Sequence, residues 1–473
     1  MKIVIIGGGI TGLSAAYELA KAKRRGLRFE YCLIERAART GGKILTDRDA
    51  YFPIEAGPDS FLTSKPNAVE LCEELGLSSQ LLDTGRTSQS VGILNNGRLK
   101  PIPEGMNFMV PRRLAPFLTT GLLSWPSKLR VLMDIVLPRG RPDDDESAAQ
   151  FFNRRMGCEM TSTFIDPFCS GVYAGSAGEL SFKSAFPILY RLQAKHRSLI
   201  LGLIKEQRSN GAGRASAHTP FVTLKNGLDA LPAAVASRLE SQSVILGTQV
   251  KAVRREGGGY GVVLEDGRVI FADVVLAATP AFESARMIEE LDRDLAAELS
   301  GIPYVSSATV TMIFKNDDFP RPARGFGFLV TRHEGKAILG ATYCSNKFPG
   351  RAHPDYAAIR CFVGGEVAKE LLRLDDQAVA ERVLSDLRPL FEACGRPLMT
   401  KIYRWMSGNP VYAVGHEARL ERIETRLRRQ PGLFVAGAAY RGIGLPDCIA
   451  QGRQAASKIL KIIEEKRLSS GPR

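Results

Sequence analysis

Residues 2–19 read KIVIIGGGITGLSAAYEL. Three consecutive glycines between an apolar run and a helix-forming run leave few structures open. Glycine gives up the most backbone entropy on folding, so its repeated use answers to a need for absent side chains. Gly7, Gly8, Gly9, Ile10, Thr11 and Gly12 fit the spacing G-x-G-x-x-G, with a buried strand predicted over 2–6 and a helix over 12–26. In that setting Gly7 permits a tight turn, Gly9 lets a pyrophosphate approach the backbone, and Gly12 allows close helix–strand packing. The pyrophosphate then meets a helix N-terminus, where unpaired N–H groups and the helix dipole favour negative charge. A second strand, FEYCLIE over 29–35, ends on Glu35, about where an acid that binds ribose hydroxyls is expected. The chain opens as a dinucleotide-binding βαβ unit.

The rest of the chain has room for more than that unit. Its 473 residues accommodate two or three domains, and 44% hydrophobic with 24% charged residues is an ordinary globular composition. A net charge of +14 points to an anionic partner (nucleic acid, an acidic membrane surface or a polyanionic small molecule) or to solubility alone. Eight scattered cysteines without a CxxC pair, and five dispersed histidines, describe no zinc, iron–sulfur or disulfide framework. Reduced thiols and a cytoplasmic location are expected, since Lys2 leads directly into a strand with no signal peptide. Leu114–Ser127, LAPFLTTGLLSWPS, is too short to span a bilayer and carries Pro116 and Pro126. Flanked by Arg112, Arg113, Lys128 and Arg130, it is read as core-facing helix or pocket wall, with a membrane-surface segment as the alternative.

Further along, 107–210 is dominated by helical periodicity, and 208–219 is a polar, glycine-rich loop. Strand patterns return from VILGTQVKAVRRE onward, and the end, GLFVAGAAYRGIGLPDCIAQG, reads as strand, glycine turn and helix. The fold class expected is α/β with mixed α+β character. A discontinuous Rossmann-like nucleotide domain is drawn from 1–56, 221–290 and 401–473. A strand-rich substrate domain comes from 57–106 and 291–400, and 107–210 forms a helical insert serving as pocket or membrane-surface domain.

RAARTGGKI follows Glu35, placing Arg36, Gly41, Gly42 and Lys43 where a second stretch of phosphate can pass. With the C-terminal glycine turn, this resembles FAD enzymes of the amine oxidase, phytoene desaturase and porphyrinogen oxidase superfamily. IEAGPDSFLTSKP (54–66), SGVYAG (170–175), KHRSLILG (195–202) and GIGLPDCIAQGR (442–453) narrow the resemblance to the oxygen-dependent protoporphyrinogen/coproporphyrinogen oxidase family, and within it to the Bacillus-type branch that makes coproporphyrin III. The similarity runs from Ile3 to the last helix.

That resemblance implies non-covalent FAD held by Gly7–Gly12, Glu35, Arg36, Lys43 and Gly57-Pro58-Asp59-Ser60, with the backbone of Val250 at the adenine. Trp405 and Ile443-Gly444-Leu445 would lie around the flavin, and Lys65 and Val172 would line the substrate pocket. A tetra-propionate macrocycle calls for an apolar chamber with cations at its rim, for which Lys65 and Arg197 are candidates. No side chain is assigned a catalytic role: flavin N5 is the implied hydride acceptor, dioxygen the oxidant and hydrogen peroxide the by-product, over three two-electron cycles. A transient contact with a downstream ferrochelatase and peripheral contact with the inner face of the membrane complete the implied partners. Nucleic acid is not among them, because the basic residues are dispersed and offer no stacking platform. Protoporphyrinogen oxidation, amine oxidation, carotenoid-type desaturation and a non-catalytic flavin scaffold are the alternatives. YRWMSGNPVYAVGH lacks the cysteine through which many amine oxidases attach flavin.

Overall fold

The computed structural model describes residues 1–49, 52–85, 90–138, 145–209, 218–319, 325–351, 353–391 and 395–469. Most of the loop expected at 208–219 therefore lies outside the described residues.

β1 (Lys2–Ile6) is buried along nearly its whole length, as suits a β-branched run at the centre of a parallel sheet. It pairs in parallel with β2 (Glu30–Ile34) on one side and Val274–Ala277 on the other, so that Ile3 opposes both Tyr31 and Val274. Val244–Ile245 and Leu433–Val435 add the outer strands of this five-stranded sheet. Between β1 and β2 runs α1 (Ile10–Arg24), which buries Leu13, Ala16 and Leu19 and carries Lys21, Lys23 and Arg24 in its last turn, where cations complement the dipole. The C-terminal helix (Leu445–Ser469) lies against α1. Their approach is close at Gly452, where a Cβ would stand 2.2 Å from the Thr11 carbonyl oxygen.

A second, mixed sheet has seven strands, ordered Met399–Pro410, Tyr304–Lys315, Tyr356–Val363, Ile338–Tyr343, Gly327–Val330, Val91–Asn95 and Arg98–Pro101. Strand alternation gives it two unlike faces. Val310, Met312, Phe314, Ile359, Cys361 and Val363 form a core with Leu371, Val379, Val383 and Leu387 of the helices Gly365–Leu371 and Asp376–Leu387. On the other face Ser307 opposes Trp405, Thr309 opposes Tyr403 and Phe362, and Thr311 opposes Arg360.

Asp47, Ala56 and Gly57 are fastened across that second face. Tyr403 Oη donates to Asp47 (2.6 Å), Trp405 Nε1 and Thr309 Oγ1 both donate to the Ala56 carbonyl (2.8 and 2.9 Å), and Arg360 donates to the Gly57 carbonyl.

The segment boundaries differ from those expected in three places. Met399–Pro410 is hydrogen-bonded within the seven-stranded sheet, so the last nucleotide-domain segment begins after Pro410 rather than at 401. Leu295 and Leu299 pack in one core with Val4 and Ile6, which keeps residues up to Ile302 with the nucleotide domain rather than starting the substrate domain at 291. Phe221–Leu224 pairs with Phe61–Leu62 and Leu81–Asp83, not with the parallel sheet.

The insert is helical over the described part of 114–209. LAPFLTTGLLSWPS divides into Leu114–Thr119 and the start of Trp125–Leu132, and it buries Phe117, Leu122 and Leu123 as a core segment does. No helix among the described residues is long and apolar enough to cross a membrane.

The insert is pinned by a fully buried ion pair. Arg155 binds Asp134, whose other oxygen accepts from Ser198 Oγ (2.6 Å) and Ile200 N (3.0 Å). Asp134→Ala leaves a buried guanidinium uncompensated and is expected to cost about 3–5 kcal/mol. Urea unfolding followed by fluorescence measures this as a lower midpoint.

Candidate functional site

The carboxyl end of β1 opens into a cavity of about 780 Å³. The turn that starts it is built from missing side chains. Gly7 has φ +109° and a Cβ there would meet the Ala278 carbonyl at 2.7 Å; one on Gly12 would meet the Gly7 carbonyl at 2.0 Å. Gly9 is different: nothing lies within 4 Å of where its Cβ would be. It is also the N-cap of α1, with no side chain capping the helix and no acid in its first turn. The first N–H groups of α1 thus face open space, which is what a phosphate requires. Glu35, just beyond β2, accepts from Gly8 N (2.6 Å) and Ala37 N (2.9 Å) and keeps lone pairs for ribose hydroxyls. These features fit a dinucleotide.

Of the residues predicted from sequence, Gly7, Gly9, Ile10, Thr11, Glu35, Arg36, Lys43, Gly57, Pro58, Val172, Val250, Trp405, Ile443 and Leu445 line this one cavity. Arg36 pairs with Glu283 (2.9 Å) at its nucleotide end, where the Val250 carbonyl accepts from Arg286 Nη2 (3.0 Å). Lys43 is exposed within the cavity and donates to the Gly408 carbonyl; desolvation by the surrounding walls pulls its pKa down. Cys448 lies on the wall as a neutral thiol, pushed up to about 11 by burial.

Gly8, Gly12, Asp59, Ser60, Lys65 and Gly444 stand behind the lining. Burial alone would raise the Asp59 pKa, but Lys347 (2.9 Å) and Arg360 (3.7 Å) hold it well below the usual carboxylate range. Ser60 Oγ donates to the same carboxylate (2.7 Å), so both residues anchor the segment that carries Gly57 and Pro58. Lys65 is tied to Asp447 (2.8 and 2.6 Å), and Asp447 in turn packs beneath Gly442 and Gly444. Tyr412 Oη accepts from Gly442 N (2.9 Å) and donates to the Ala438 carbonyl (2.6 Å), fixing the glycine turn that precedes the C-terminal helix. Arg197 donates to the Val136 carbonyl (2.6 Å) inside the insert and does not line the cavity.

The far end of the cavity combines Ser170, Gly171, Val172 and Ala174 with Leu339, Phe362 and Val363. The first group comes from the end of the insert helix Asp166–Tyr173, which follows a π-helical turn at Thr161–Ile165. Such turns often occur beside functional sites. The second group comes from the seven-stranded sheet and was not found by sequence reasoning; Arg360 and Arg404 were missed in the same way. Arg404 is held by Asp376 and by the Leu372 and Leu374 carbonyls (3.1 and 2.8 Å).

Against known proteins, residues 10–460 match the family described as flavin containing amine oxidoreductase. The chain is 37% identical to a coproporphyrinogen III oxidase of Bacillus subtilis (strain 168), with 97% of each chain covered. It is 35% identical to that of Propionibacterium freudenreichii, over 97% of this chain and 90% of the relative. It is 31% identical to the protoporphyrinogen oxidase of Homo sapiens, over 97% and 98%. A crystal structure from Exiguobacterium sp. 255-15 superposes with a TM-score of 0.83 at 33% identity, covering 97% and 98%. A putrescine oxidase variant shares the fold at a TM-score of 0.73 and 15% identity, covering 97% and 98%.

The two kinds of glycine predict opposite outcomes. Gly9→Ala is expected to leave the thermal stability of the cofactor-free protein within about 0.5 kcal/mol of wild type while lowering retained flavin absorbance more than tenfold. Gly12→Ala is expected to destabilise the cofactor-free protein itself. Differential scanning fluorimetry and the purified visible spectrum check both.

Proposed function

The chain belongs to the flavin-containing amine oxidoreductase family, and on that premise we propose that it oxidises coproporphyrinogen III to coproporphyrin III in porphyrin biosynthesis. One observation carries the reading: the nucleotide cradle and an apolar chamber walled by Val172, Leu339 and Phe362 are parts of a single cavity. Such a chamber suits a large, flexible macrocycle rather than a small amine. FAD held by the N-terminus of α1, Glu35 and the Gly57-Pro58 segment would supply the hydride acceptor, with dioxygen as final oxidant and hydrogen peroxide as by-product.

The residues of the chain bind, orient and exclude water. The N-terminus of α1 holds the pyrophosphate and Glu35 the ribose. The N-terminus of the C-terminal helix, led by Ile443-Gly444-Leu445, presents its positive end at the cavity wall, where it would stabilise negative charge added to a bound flavin. Trp405, fixed to the Ala56 carbonyl, keeps the floor of the chamber in place. Val172 contacts the macrocycle, whereas Lys65 acts through Asp447 to hold the glycine turn. The net charge of +14 favours the four-propionate substrate over protoporphyrinogen IX, the second reading.

Side-by-side turnover of the two porphyrinogens under air, read by porphyrin fluorescence, is expected to give a higher kcat/KM for coproporphyrinogen III; the reverse order would favour the second reading. Val172→Trp fills the chamber and is expected to cut kcat/KM at least tenfold while flavin absorbance stays unchanged.

Peripheral membrane contact belongs to the same reading. Trp125, Leu129, Met133 and Val136, three or four residues apart, are exposed along one side of the insert, and Lys128 Nζ lies 4.4 Å over the Trp125 ring. Apolar side chains on an insert that also exposes Arg113 and half-exposes Arg130 suit the surface of an anionic bilayer; Lys128 is buried and donates to the Leu118 carbonyl (2.8 Å). Release of product to a ferrochelatase is the step this placement would serve. Co-sedimentation with phosphatidylglycerol vesicles is expected for the wild type and lost in Leu129→Glu; equal pelleting of the two would remove this surface from the reading.

A further inference from the structure

Behind the chamber lies a second cavity of about 30 Å³, whose lining includes Glu55, Asp59, Thr311, Cys344, Arg351 and Arg360. Arg360 borders both cavities. Three polar atoms in these walls have no hydrogen-bond partner: Thr311 Oγ1, Arg351 Nε and Arg360 Nε. Thr311 is 3% exposed, Arg360 is 2% exposed, and the Arg351 side chain is 9% exposed. Their meeting is set by strand register, which puts Thr311 directly opposite Arg360 on the neighbouring strand, with Thr342 on the far side of Arg360. Buried polar groups of this kind are paired in folded proteins, so three of them around one space call for an occupant.

A donor and acceptor census identifies its chemistry. An arginine Nε–H can only donate, and the Thr311 hydroxyl can donate as well. The two carboxylates nearby are largely engaged. Glu55 Oε1 accepts from Leu228 N (2.9 Å) and from Arg351, and Oε2 accepts from Thr46 Oγ1 (2.7 Å). Asp59 accepts from Ser60 Oγ (2.7 Å) and twice from Lys347 (3.0 and 2.9 Å).

Donors are left over, and so is charge. Arg351, Arg360 and Lys347 face Glu55 and Asp59, an excess of one positive charge among formal charges. The Cys344 thiol, pushed up to about 11 by burial, adds no negative charge to offset it. A water molecule would need acceptors for both of its protons and would leave the surplus charge in place, whereas an anion uses the donors alone and offsets that charge. The volume suits a particle about the size of one water molecule.

We propose that this cavity binds one small monovalent anion of halide size, held by Arg351 Nε–H, Arg360 Nε–H and Thr311 Oγ–H. The site is separate from the proposed reaction and independent of which porphyrinogen is the substrate. Its link to the chamber is Arg360, which also holds the Gly57 carbonyl at the wall of the large cavity. The anion fixes that side chain and, through it, the segment under the cofactor.

The test uses the FAD-loaded protein exchanged into gluconate buffer and titrated with sodium bromide at constant ionic strength. Binding to the folded state alone raises Tm with halide concentration, by about 1–3 °C per tenfold above the dissociation constant. Crystals grown in bromide are expected to show an anomalous peak between Arg351, Arg360 and Thr311. Thr311→Val is expected to require at least tenfold more bromide for the same shift. A Tm equal in bromide and gluconate, or a wild-type anomalous map with only an ordered water or nothing at that position, would overturn the proposal. The wild-type map decides whether or not the variant folds.

Discussion

Two places where backbone touches backbone govern everything else in this molecule. At Gly12, α1 presses on the turn leaving β1; at Gly452, the C-terminal helix presses on α1. A methyl group at either would fall within 2.0 and 2.2 Å of a carbonyl oxygen, far inside van der Waals contact. These contacts bring two helix N-termini to the same cavity, one at the phosphate end and one at the glycine turn before Leu445. Neither helix could be moved outward by the width of one side chain without opening the cradle.

The second sheet is joined to that cradle by hydrogen bonds rather than by packing alone. Tyr403, Trp405, Thr309 and Arg360 hold the segment at Asp47, Ala56 and Gly57, two of them sharing the Ala56 carbonyl. Each such bond contributes only about 1 kcal/mol net, but all four come from the same face of adjacent strands. Cofactor side and substrate side are therefore placed relative to each other by β-register. A one-residue slip would turn all four groups away from the segment.

How much of this the sequence could announce follows from the range of each interaction. The βαβ start was legible because its glycines, strand, helix and acid are local and each has one physical reason. Met399–Pro410 was not singled out as a strand, and its partner Tyr304–Lys315 lies far back in the chain, so residues from 401 were grouped with the nucleotide domain although they pair in the other sheet. Lys65 was visible as a cation beside a distinctive motif, while its partner Asp447 lies far along the chain and could not be paired with it by spacing. Arg197 looked available for a carboxylate, yet the insert uses it on its own backbone. Arg360 gave a signal that went unused. A single charge between Ile359 and Cys361, within a strand otherwise fit for burial, has to be compensated by something in the interior.

The parallel sheet takes strands from both ends of the chain, and this has a consequence for how the protein is made. Its outermost strand, Leu433–Val435, and the helix behind it leave a ribosome long after β1 (Lys2–Ile6) does. At about 5–20 residues per second, roughly 20–90 s pass between the emergence of β1 and that of its final supports. Throughout that interval Ile3 and Ile5 wait beside an unfinished sheet. An unfinished sheet edge of this kind is open to pairing with other chains, and the cofactor cradle is complete only once Leu433–Val435 and the C-terminal helix have emerged.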